Sequence, residues 1–338
     1  HKTSLISKPL LSALEENLAN KQQSILLLNR RGFSNFCLCK TCGHTPGCEN
    51  CSVSMTYHLG KRELVCHYCD EQRPISQDHV DSDGKACAGT IELLGYGTQR
   101  LEEELIQQFP GAYITRIDRD TVSKKGTLED SLERMKRGDI DILVGTQMLA
   151  KGHDFPNVTL VGVVFADMGL KFPDFRASER TFQLVTQVAG RAGRGHHPGK
   201  VIVQTYQPDH PAIQYAAKQD YLGFAEGELR FRKESGYPPY VHLSLIQIDG
   251  EKESQVQSAA DKLARVIARQ NSSLDTVLGP VAAPLQKLRG RIRHQIIIKS
   301  KNRQLQHSIL EQIQAARLQP TYFPGVRIHI DRDPYHLL

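Results

Sequence analysis

The chain has 338 residues, of which 39% are hydrophobic, and a formal net charge of +6 at pH 7. Because single hydrophobic cores seldom grow past about 250 residues, this length predicts two or three domains. The sequence has no apolar run of about 18 residues and no signal-peptide pattern at residues 1–18, which argues against a membrane-spanning or secreted protein and against a membrane partner.

The positive charge is confined to the last third of the chain. Residues 1–234 contain 29 basic and 29 acidic side chains, whereas residues 235–338 contain 14 basic and 8 acidic ones. A basic domain on a neutral body is typical of a protein that binds a polyanion. A solvated basic surface explains the same charge equally well.

Short apolar runs and amphipathic helices alternate up to residue 206. The predicted elements are a helix from Lys8, a strand over 24–29, helices over 98–109 and 127–138, and strands over 141–146, 159–167 and 200–206. Apolar runs of this length are typical of strands that are buried on both faces of a parallel sheet. The alternation predicts an α/β layer architecture, with Leu101, Leu105, Ile106 and Phe109 on the buried face of the second helix.

A cysteine-rich insert, residues 37–88, interrupts this alternation. All eight cysteines lie in it, and six of them form CxxC pairs at 39–42, 48–51 and 66–69. Clustered pairs indicate a metal rather than disulfides, because the turn within CxxC brings two thiolates onto one face of an ion. Two pairs complete one tetrahedral zinc site, so three pairs predict two zinc ions and leave two ligands to be found.

The segment ILVGTQMLAKGHDFPNVTLV (142–161) is a candidate for contact with nucleic acid and nucleotide. A buried strand ends at Gly145 and Thr146, which places the Thr146 hydroxyl where it can bond a nucleic-acid phosphate.

The segment QVAGRAGRG (187–195) carries two candidate phosphate ligands, Arg191 and Arg194. A guanidinium group can donate two parallel hydrogen bonds to a phosphate and always keeps its charge. The glycines beside these arginines let backbone segments pack closely. The alternative is a purely structural pair of arginines at a helix end.

A second pattern begins after a helical connector, residues 209–234. The predicted order over 235–338 is strand, helix, strand, strand, helix, strand, which is that of a split βαβ plait. Four basic residues alternate within it, and in an extended conformation this period directs them to one face, where they would contact DNA phosphates: Lys287, Arg289, Arg291 and Arg293. The alternative is a solvated sheet face.

The segments 142–161 and 187–195 resemble, in order and spacing, the last two motifs of superfamily-two helicases. The resemblance implies a RecA-like lobe whose Arg191 and Arg194 act on the γ-phosphate of ATP, with Gly152, Asp154 and Gln187 near the nucleotide. Such a motor has two lobes, and the first carries the phosphate loop and the DExx motif that bind ATP and Mg²⁺.

Neither of these first-lobe motifs is found. No Gly-Lys pair is followed by Ser or Thr, and the Asp70-Glu71 pair lies inside the insert. We therefore expect the chain to contain only the second lobe and to be inactive as an ATPase by itself.

The complete set of motifs resembles the PriA family of bacterial replication-restart helicases. It comprises NRRGF (29–33), the CxxC series, GYGTQRLEEEL (95–105), RIDRDT (116–121), the 142–161 segment, PDFRASER (173–180) leading into QVAGRAGRG, and LGPV (278–281). In that family four CxxC pairs bind two zinc ions, the first pair with the fourth and the second with the third. The resemblance thus implies one site made by Cys48, Cys51, Cys66 and Cys69.

The fourth pair departs from the family pattern PIPxxCPxC. Residues 74–87 read PISQDHVDSDGKAC, and alignment from Pro74 puts His79 where a cysteine is expected, with Cys87 after an insertion. Since imidazole is a good zinc ligand, we favour a site made by Cys39, Cys42, His79 and Cys87. The alternatives are that Asp81, Asp83 or Cys37 replaces His79, or that the site is empty.

The fold expected from the resemblance is an α/β RecA-like helicase lobe with an inserted two-zinc subdomain, followed by an α+β plait domain. The expected domains are the second RecA-like lobe at 1–36 and 89–208, the zinc insert at 37–88, the connector at 209–234 and the basic domain at 235–338.

The implied activity is ATP-driven, 3′-to-5′ DNA unwinding at stalled or abandoned forks, with primosome loading, in the bacterial cytoplasm near the nucleoid. The implied partners are forked and single-stranded DNA, single-stranded DNA-binding protein and other primosome proteins. The rival interpretation is a non-enzymatic, zinc-stapled DNA-binding scaffold with vestigial motor motifs. A phosphate loop and DExx motif in the parent gene would favour the motor.

Overall fold

A computed structural model describes residues 4–28, 36–49, 53–58, 63–66, 69–81, 83–94, 98–117, 127–146, 149, 155–170, 172, 174–193, 197–269, 276–317 and 322–337. Among them, no helix combines the length and the apolar character needed to cross a membrane. These residues form a parallel sheet with helices on both faces, a cysteine-rich insert of short strands, and an antiparallel sheet with two helices.

The chain opens with a helix that covers a buried strand. Helix α1 (Lys8–Ala19) has Pro9 in its first turn, where a missing N–H breaks no helical hydrogen bond. It buries Leu10 and Leu14. All six residues of β1 (Gln23–Leu28) are buried, as expected for a central strand of a sheet covered on both faces.

Short antiparallel strands form the cysteine-rich insert. Its base is a stem in which β2 (Phe36–Cys39) pairs with β8 (Ile91–Leu94). Between these strands lie β3 (Gly47–Cys48), β4 (Val53–Ser54), β5 (Thr56–His58), β6 (Glu63–Val65) and β7 (Gln72–Arg73). Two- and three-stranded sheets of two- and three-residue strands are marginal in water, so the insert needs a further source of stability.

The lobe resumes with alternating helices and strands. They are α2 (Thr98–Gln108), β9 (Ile114–Ile117), α3 (Thr127–Arg137), β10 (Ile142–Gly145), β11 (Val158–Val164), α4 (Asp167–Leu170), α5 (Ala177–Ala189) and β12 (Lys200–Val203). The strand β9 was not predicted. The prediction for Ile106 was wrong: this side chain is 51% exposed, because α2 buries Leu101 and Leu105 and turns Ile106 outward.

Five parallel strands make up the lobe sheet, in the order β12-β11-β1-β10-β9. One face packs against α1 and α2 through residues such as Leu26 and Val144. The other face packs against α3 and α5 through residues such as Ile25 and Val161. This confirms the predicted α/β architecture. Because the strands are parallel, every strand ends at the same edge of the sheet, and every strand begins at the other.

Two capped helices connect the lobe to the last region. Helices α6 (Pro211–Ala217) and α7 (Tyr221–Glu234) begin where His210 and Asp220 accept backbone hydrogen bonds. Phe224 of α7 stacks on Phe182 of α5, with ring centroids 4.3 Å apart, so the connector packs firmly against the lobe.

The last region is a split βαβ plait, as predicted. Its elements are β13 (His242–Gly250), α8 (Glu253–Ala268), β14 (Thr276–Leu288), β15 (Arg291–Ser300), α9 (Arg303–Arg317) and β16 (Val326–Arg332). The antiparallel order is β14-β15-β13-β16, and one face is covered by the two helices through a cluster that includes Ile246, Ile248, Ile296 and Ile298.

Candidate zinc, nucleotide and DNA sites

The four predicted ligands of the first zinc site converge at the base of the insert. One ligand atom from each of Cys39, Cys42, His79 and Cys87 lies within 4.8 Å of all the others. The Cys39 and Cys87 sulfurs are 3.9 Å apart. The backbone N–H of Cys87 donates to the carbonyl of His79 at 3.0 Å, which keeps these two ligands side by side. Three sulfurs and one imidazole nitrogen are a standard tetrahedral zinc donor set.

The imidazole of His79 is arranged as a metal ligand would be. Its Nδ1 lies 2.7 Å from the carbonyl oxygen of Gln77, so Nδ1 carries the proton and Nε2 keeps a lone pair. Among the described residues, the buried Nε2 makes no hydrogen bond of standard geometry, and the His79 side chain interacts with the Cys39 thiol. Nε2 is thus a buried nitrogen with a lone pair, and it lies close to three thiols. These properties are those of a zinc ligand.

The alternatives to His79 have other roles in the structure. Oδ1 of Asp81 accepts the backbone N–H groups of Asp83 and Lys85, at 3.0 and 2.9 Å, and so closes the loop. The side chain of Asp83 is exposed. Cys37 is buried among apolar groups, and this burial raises its pKa to about 11. None of these three residues belongs to a group of converging ligand atoms in the described ranges.

The described ligands predicted for the second zinc site also converge. The sulfurs of Cys48, Cys66 and Cys69 lie within 4.8 Å of one another, and those of Cys48 and Cys69 are 3.5 Å apart. Cys51, the fourth predicted ligand, lies outside the described residues. A carboxylate oxygen of Glu71 accepts a hydrogen bond from the Cys48 thiol at 3.0 Å. Burial, followed by this hydrogen bond, raises the pKa of Cys48.

Two of the CxxC turns share one backbone arrangement. In the first, Gly43 donates its N–H to the carbonyl of Cys39 at 2.8 Å and has a φ of 74°. In the other, Asp70 donates to Cys66 at 2.9 Å with a φ of 63°. Position 43 requires glycine, because a Cβ there would lie 2.6 Å from the carbonyl oxygen of Tyr206.

The thiols of the first site are electrostatically unequal. Burial raises the pKa of Cys42 to about 11. Burial also acts to raise the pKa of Cys39, but hydrogen bonds from the backbone of Cys42 and Thr41 outweigh it and lower that pKa to about 6. Cys39 is therefore the thiol that loses its proton more readily than Cys42. The charge of a bound zinc ion would stabilise the thiolate forms of the other cysteines.

The arginine segment follows the end of α5. Gln187 is exposed on the last turn of the helix, and Arg191 lies one turn further, partly buried. The N–H of Gly193 donates to the carbonyl of Val158 at 3.1 Å. A Cβ on Gly193 would lie 2.4 Å from the backbone nitrogen of Gly199, which confirms the predicted close packing of this segment. Arg194, Gly152 and Asp154 lie outside the described residues.

The candidate DNA and nucleotide contacts lie at opposite edges of the lobe sheet. Thr146 follows β10, at the edge where the strands end. Arg191 is two residues from Gly193, which is bonded to the first residue of β11, at the edge where the strands begin. Thr146 and Arg191 therefore lie on separate surfaces, joined by the sheet itself.

The basic stripe at 287–293 is divided by a turn. Arg289 and Gly290 have φ values of 50° and 81°, as in the tight turns that join hairpin strands. Lys287 pairs with Ile292, and directly paired residues share a face of the sheet. Lys287 therefore lies on the face opposite to Arg291 and Arg293. The prediction that all four residues share one face was wrong, because the turn reverses the chain within the stripe.

The four cations of the stripe also differ in their exposure. Arg291 forms ion pairs with Asp249 and, at 3.6 Å, with Glu251. Burial lowers the pKa of Arg293, whose guanidinium is 3.5 Å from the carbonyl of Leu285. Lys287 and Arg289 are both exposed. The hairpin thus offers two solvent-facing cations and two that are engaged by the protein.

Comparisons with known families agree with this architecture. The helicase conserved C-terminal domain matches residues 88–196, the PriA DNA helicase Cys-rich region matches 48–74, and the primosomal protein N C-terminal domain matches 233–335. The replication restart protein PriA of Bacillus subtilis is 43% identical over 99% of this chain and 41% of its own length. This chain belongs to the PriA family. The PriA protein of Haemophilus influenzae is 39% identical over 98% of this chain and 45% of its own length.

The PriA family match bears on the zinc sites and on the extent of the chain. The chain spans about two fifths of the length of these relatives. The Cys-rich region match includes Cys48, Cys51, Cys66 and Cys69, so the insert is a zinc-binding region. Among solved structures, the helicase domain of Pyrococcus furiosus Hef covers 62% of this chain with 28% of its own, at a TM-score of 0.30 and 16% identity.

Sequence reasoning missed three residues near these sites. Glu71 contacts Cys48, and the ring of His44 packs 4.9 Å from the ring of His79. Glu71 follows a CxxC pair by two positions, which is a local signal that was available. The third residue, Phe175, lies in the PDFRASER motif, and its contacts are with the C-terminal domain.

Proposed function

We propose that this chain is the C-terminal portion of an ATP-dependent 3′-to-5′ DNA helicase that recognises stalled or abandoned replication forks and starts primosome assembly. The support is the similarity to PriA proteins over nearly the whole chain, with the helicase lobe, cysteine-rich region and C-terminal domain in one order. The proposed partners are forked and single-stranded DNA, single-stranded DNA-binding protein and other primosome proteins. The proposed location is the bacterial cytoplasm, at the nucleoid.

The observation that carries the proposal is the placement of the motifs on one sheet. Thr146 lies at the edge where strands end and is assigned to the translocating DNA strand. Arg191 lies at the opposite edge, where β11 begins. The rigid parallel sheet joins the two edges, so the DNA-contacting residue and the nucleotide-contacting residue would move together as one rigid body.

The nucleotide edge is assigned to ATP that is bound, with Mg²⁺, by a first motor lobe. There Arg191 and Arg194 would stabilise the negative charge that develops on the transferred phosphoryl group, as arginine fingers do. Gln187 is exposed one helical turn before Arg191 and would face the same nucleotide.

The insert is assigned two zinc ions. The first would be bound by Cys39, Cys42, His79 and Cys87, and the second by Cys48, Cys51, Cys66 and Cys69. Short strands cannot stabilise the insert alone, so metal binding would supply most of its folding free energy. A rigid insert would act as a wedge at the fork and as a docking face for primosome proteins.

The test is steady-state ATP hydrolysis by the complete gene product that carries this sequence. Arg191→Ala and Arg194→Ala should each lower kcat by a factor on the order of 10³, because the arginine acts mainly in the transition state. DNA affinity should change little. The matched control is Arg230→Ala, which removes an exposed arginine of α7 that forms a surface ion pair with Glu226. An unchanged kcat, or an equal loss of DNA affinity, would favour the scaffold interpretation.

A further inference from the structure

The helicase lobe and the C-terminal domain meet at a stacked aromatic pair. Phe175, just before α5, lies parallel to Tyr237, just after α7, with ring centroids 4.5 Å apart and an angle of 8° between the planes. Both rings are buried. We use the term junction for this pair and the four cations around it, Arg176, Arg180, Arg232 and Lys299.

Cations cover the aromatic pair on both sides of the domain boundary. The guanidinium carbons of Arg176 and Arg232 lie 4.2 and 5.2 Å from the centre of the Phe175 ring. On the other side, Nζ of Lys299 lies 3.7 Å from the centre of the Tyr237 ring. A cation within about 6 Å of a ring is attracted to its π face, and more strongly when water is excluded. The junction is therefore a directional contact.

Ion pairs fix the cations of the lobe side. Arg180 pairs at 2.9 Å with Asp174, whose side chain is fully buried. Arg232 pairs with Glu228 at 2.9 Å and with Glu179 at 2.5 Å, which joins α7 to α5. Because these partners are largely buried, solvent screens the pairs less than it would at the surface.

Two arginines of the junction also bind the segment that follows β16 in the C-terminal domain. Arg176 donates to the carbonyl of Pro334 at 3.0 Å, and Arg180 donates to that of Tyr335 at 2.5 Å. The PDFRASER segment therefore contacts the C-terminal domain at two places, the Tyr237 ring and the segment after β16. These contacts give the PDFRASER motif a structural role.

One helix begins at the junction and one strand ends at it. Helix α5 starts directly after Arg176 and ends two residues before Arg191, and its 13 residues span about 20 Å. Strand β15 ends beside Lys299, and its 10 residues reach back about 33 Å to the basic hairpin turn. The hairpin and the arginine segment are thus linked through the junction by one strand and one helix.

We propose that the junction is a positioning device. It fixes α5 against the C-terminal domain, so that DNA bound by that domain holds Arg191 and Arg194 in the orientation required for ATP hydrolysis. Phe175, Tyr237 and Lys299 are its positioning residues. This inference rests on the proposed function, because it requires those arginines to act on the nucleotide.

The experiment compares ATP hydrolysis with and without forked DNA in the complete gene product. Phe175→Leu and Lys299→Met should each lower the DNA-stimulated kcat by about 10-fold, because a displacement of about 1 Å at a catalytic group can cost up to about 100-fold. The Kd for forked DNA and the KM for ATP should stay within about twofold. Tyr237→Phe, which keeps the ring, should retain the stimulation.

The matched control is Phe224→Leu. It removes an equally close aromatic stack, that of Phe224 of α7 on Phe182 of α5, which does not involve the C-terminal domain. It should lower thermal stability and leave the ratio of stimulated to basal kcat unchanged. A drop in that ratio equal to that of Phe175→Leu would overturn the proposal, since any loosening of α5 would then suffice.

Three further outcomes decide between the two proposals. The junction proposal alone would be overturned if the DNA-stimulated kcat stayed unchanged in both Phe175→Leu and Lys299→Met while Arg191→Ala lowered kcat. A parallel loss of DNA affinity in both variants would also overturn it, because the contact would then belong to DNA binding. An Arg191→Ala protein with normal kcat would overturn the proposed function and the junction proposal together.

Discussion

The cysteine-rich insert and the basic hairpin arrange their polar side chains in opposite ways. In the insert, Cys39 and Cys87 are 48 positions apart in the chain, and their sulfurs lie 3.9 Å apart. In the hairpin, Lys287 and Arg291 are four positions apart and lie on opposite faces of the sheet. Distant residues converge in one region, and neighbouring residues diverge in the other.

This difference indicates what each region is built to bind. Gathering several thiols and an imidazole nitrogen away from water is unfavourable unless a cation joins them, so convergence implies a specific ion. The cations of the hairpin do not converge on one point, and Arg291 forms an ion pair with Asp249. Dispersed cations suit the DNA backbone, where each phosphate is contacted separately.

The largest expected effect follows from removing one convergent thiol. Cys66→Ser should lower the zinc content from two ions to one per chain and unfold the insert, because apparent zinc-binding free energies in small metal domains reach about 10–16 kcal/mol. Metal analysis after dialysis and limited proteolysis measure both effects. The control is Cys37→Ala, which removes a buried cysteine outside both sites and should keep two zinc ions. Equal zinc loss in the two variants would contradict the assignment.

A smaller effect is expected for the one imidazole ligand. His79→Ala leaves three sulfurs, so the first site should release its zinc to a chelator at concentrations that the native protein withstands, and zinc content should fall toward one ion. His79→Cys should restore retention, because a fourth thiolate completes the tetrahedron. The control is His44→Ala, which removes the neighbouring ring. Tight retention of both ions by His79→Ala would transfer the ligand role to another residue.

The smallest effect is expected at the hairpin, where each cation acts alone. Replacing Lys287 and Arg289 with Gln should flatten the slope of log K against log salt by about 1.5, because each phosphate contact contributes about 0.7 to 0.9. Fluorescence anisotropy on forked and single-stranded DNA measures the slope.

The matched control for the hairpin is the pair Arg291→Gln and Arg293→Gln, which should flatten the slope by less than about 0.5 because both side chains are engaged by the protein. A larger change in this pair would show that exposure is a poor guide to phosphate contact here. Unchanged slopes in both pairs would return the hairpin to a solvated sheet face and leave DNA contact to Thr146 and the insert.

The predictable parts of the fold are those whose residues follow a regular hydrophobic pattern or whose side chains must meet at a metal ion. Continuous apolar runs gave four of the five parallel strands, and the element order gave the plait. The CxxC pairs gave the converging ligands, because a tetrahedral ion dictates which side chains must meet. His79 was found by alignment to a family pattern, and the structure places its ring with the three thiols.

The parts that were missed depend on pairing between distant segments. Strand β9, with the sequence ITRI, has two adjacent polar residues between its two isoleucines, lies at a sheet edge and gives a weak local signal. The hairpin turn uses Arg289 and Gly290 in place of the Asn-Gly that usually marks such turns, so cross-strand pairing determines it. The contact between Phe175 and Tyr237 follows no spacing rule at all.

The stem formed by β2 and β8 bears on how the lobe folds. The central strand β1 must find β10 across roughly 110 intervening residues, including the whole insert, and a bound ion that links Cys39 to Cys87 would shorten that loop by the 48 positions between them. Loop-closure entropy grows only logarithmically, so this shortening favours closure by about 0.5 kcal/mol. Refolding of the parallel sheet should therefore be nearly as fast with a chelator as with zinc. The lobe would then fold without needing a folded insert.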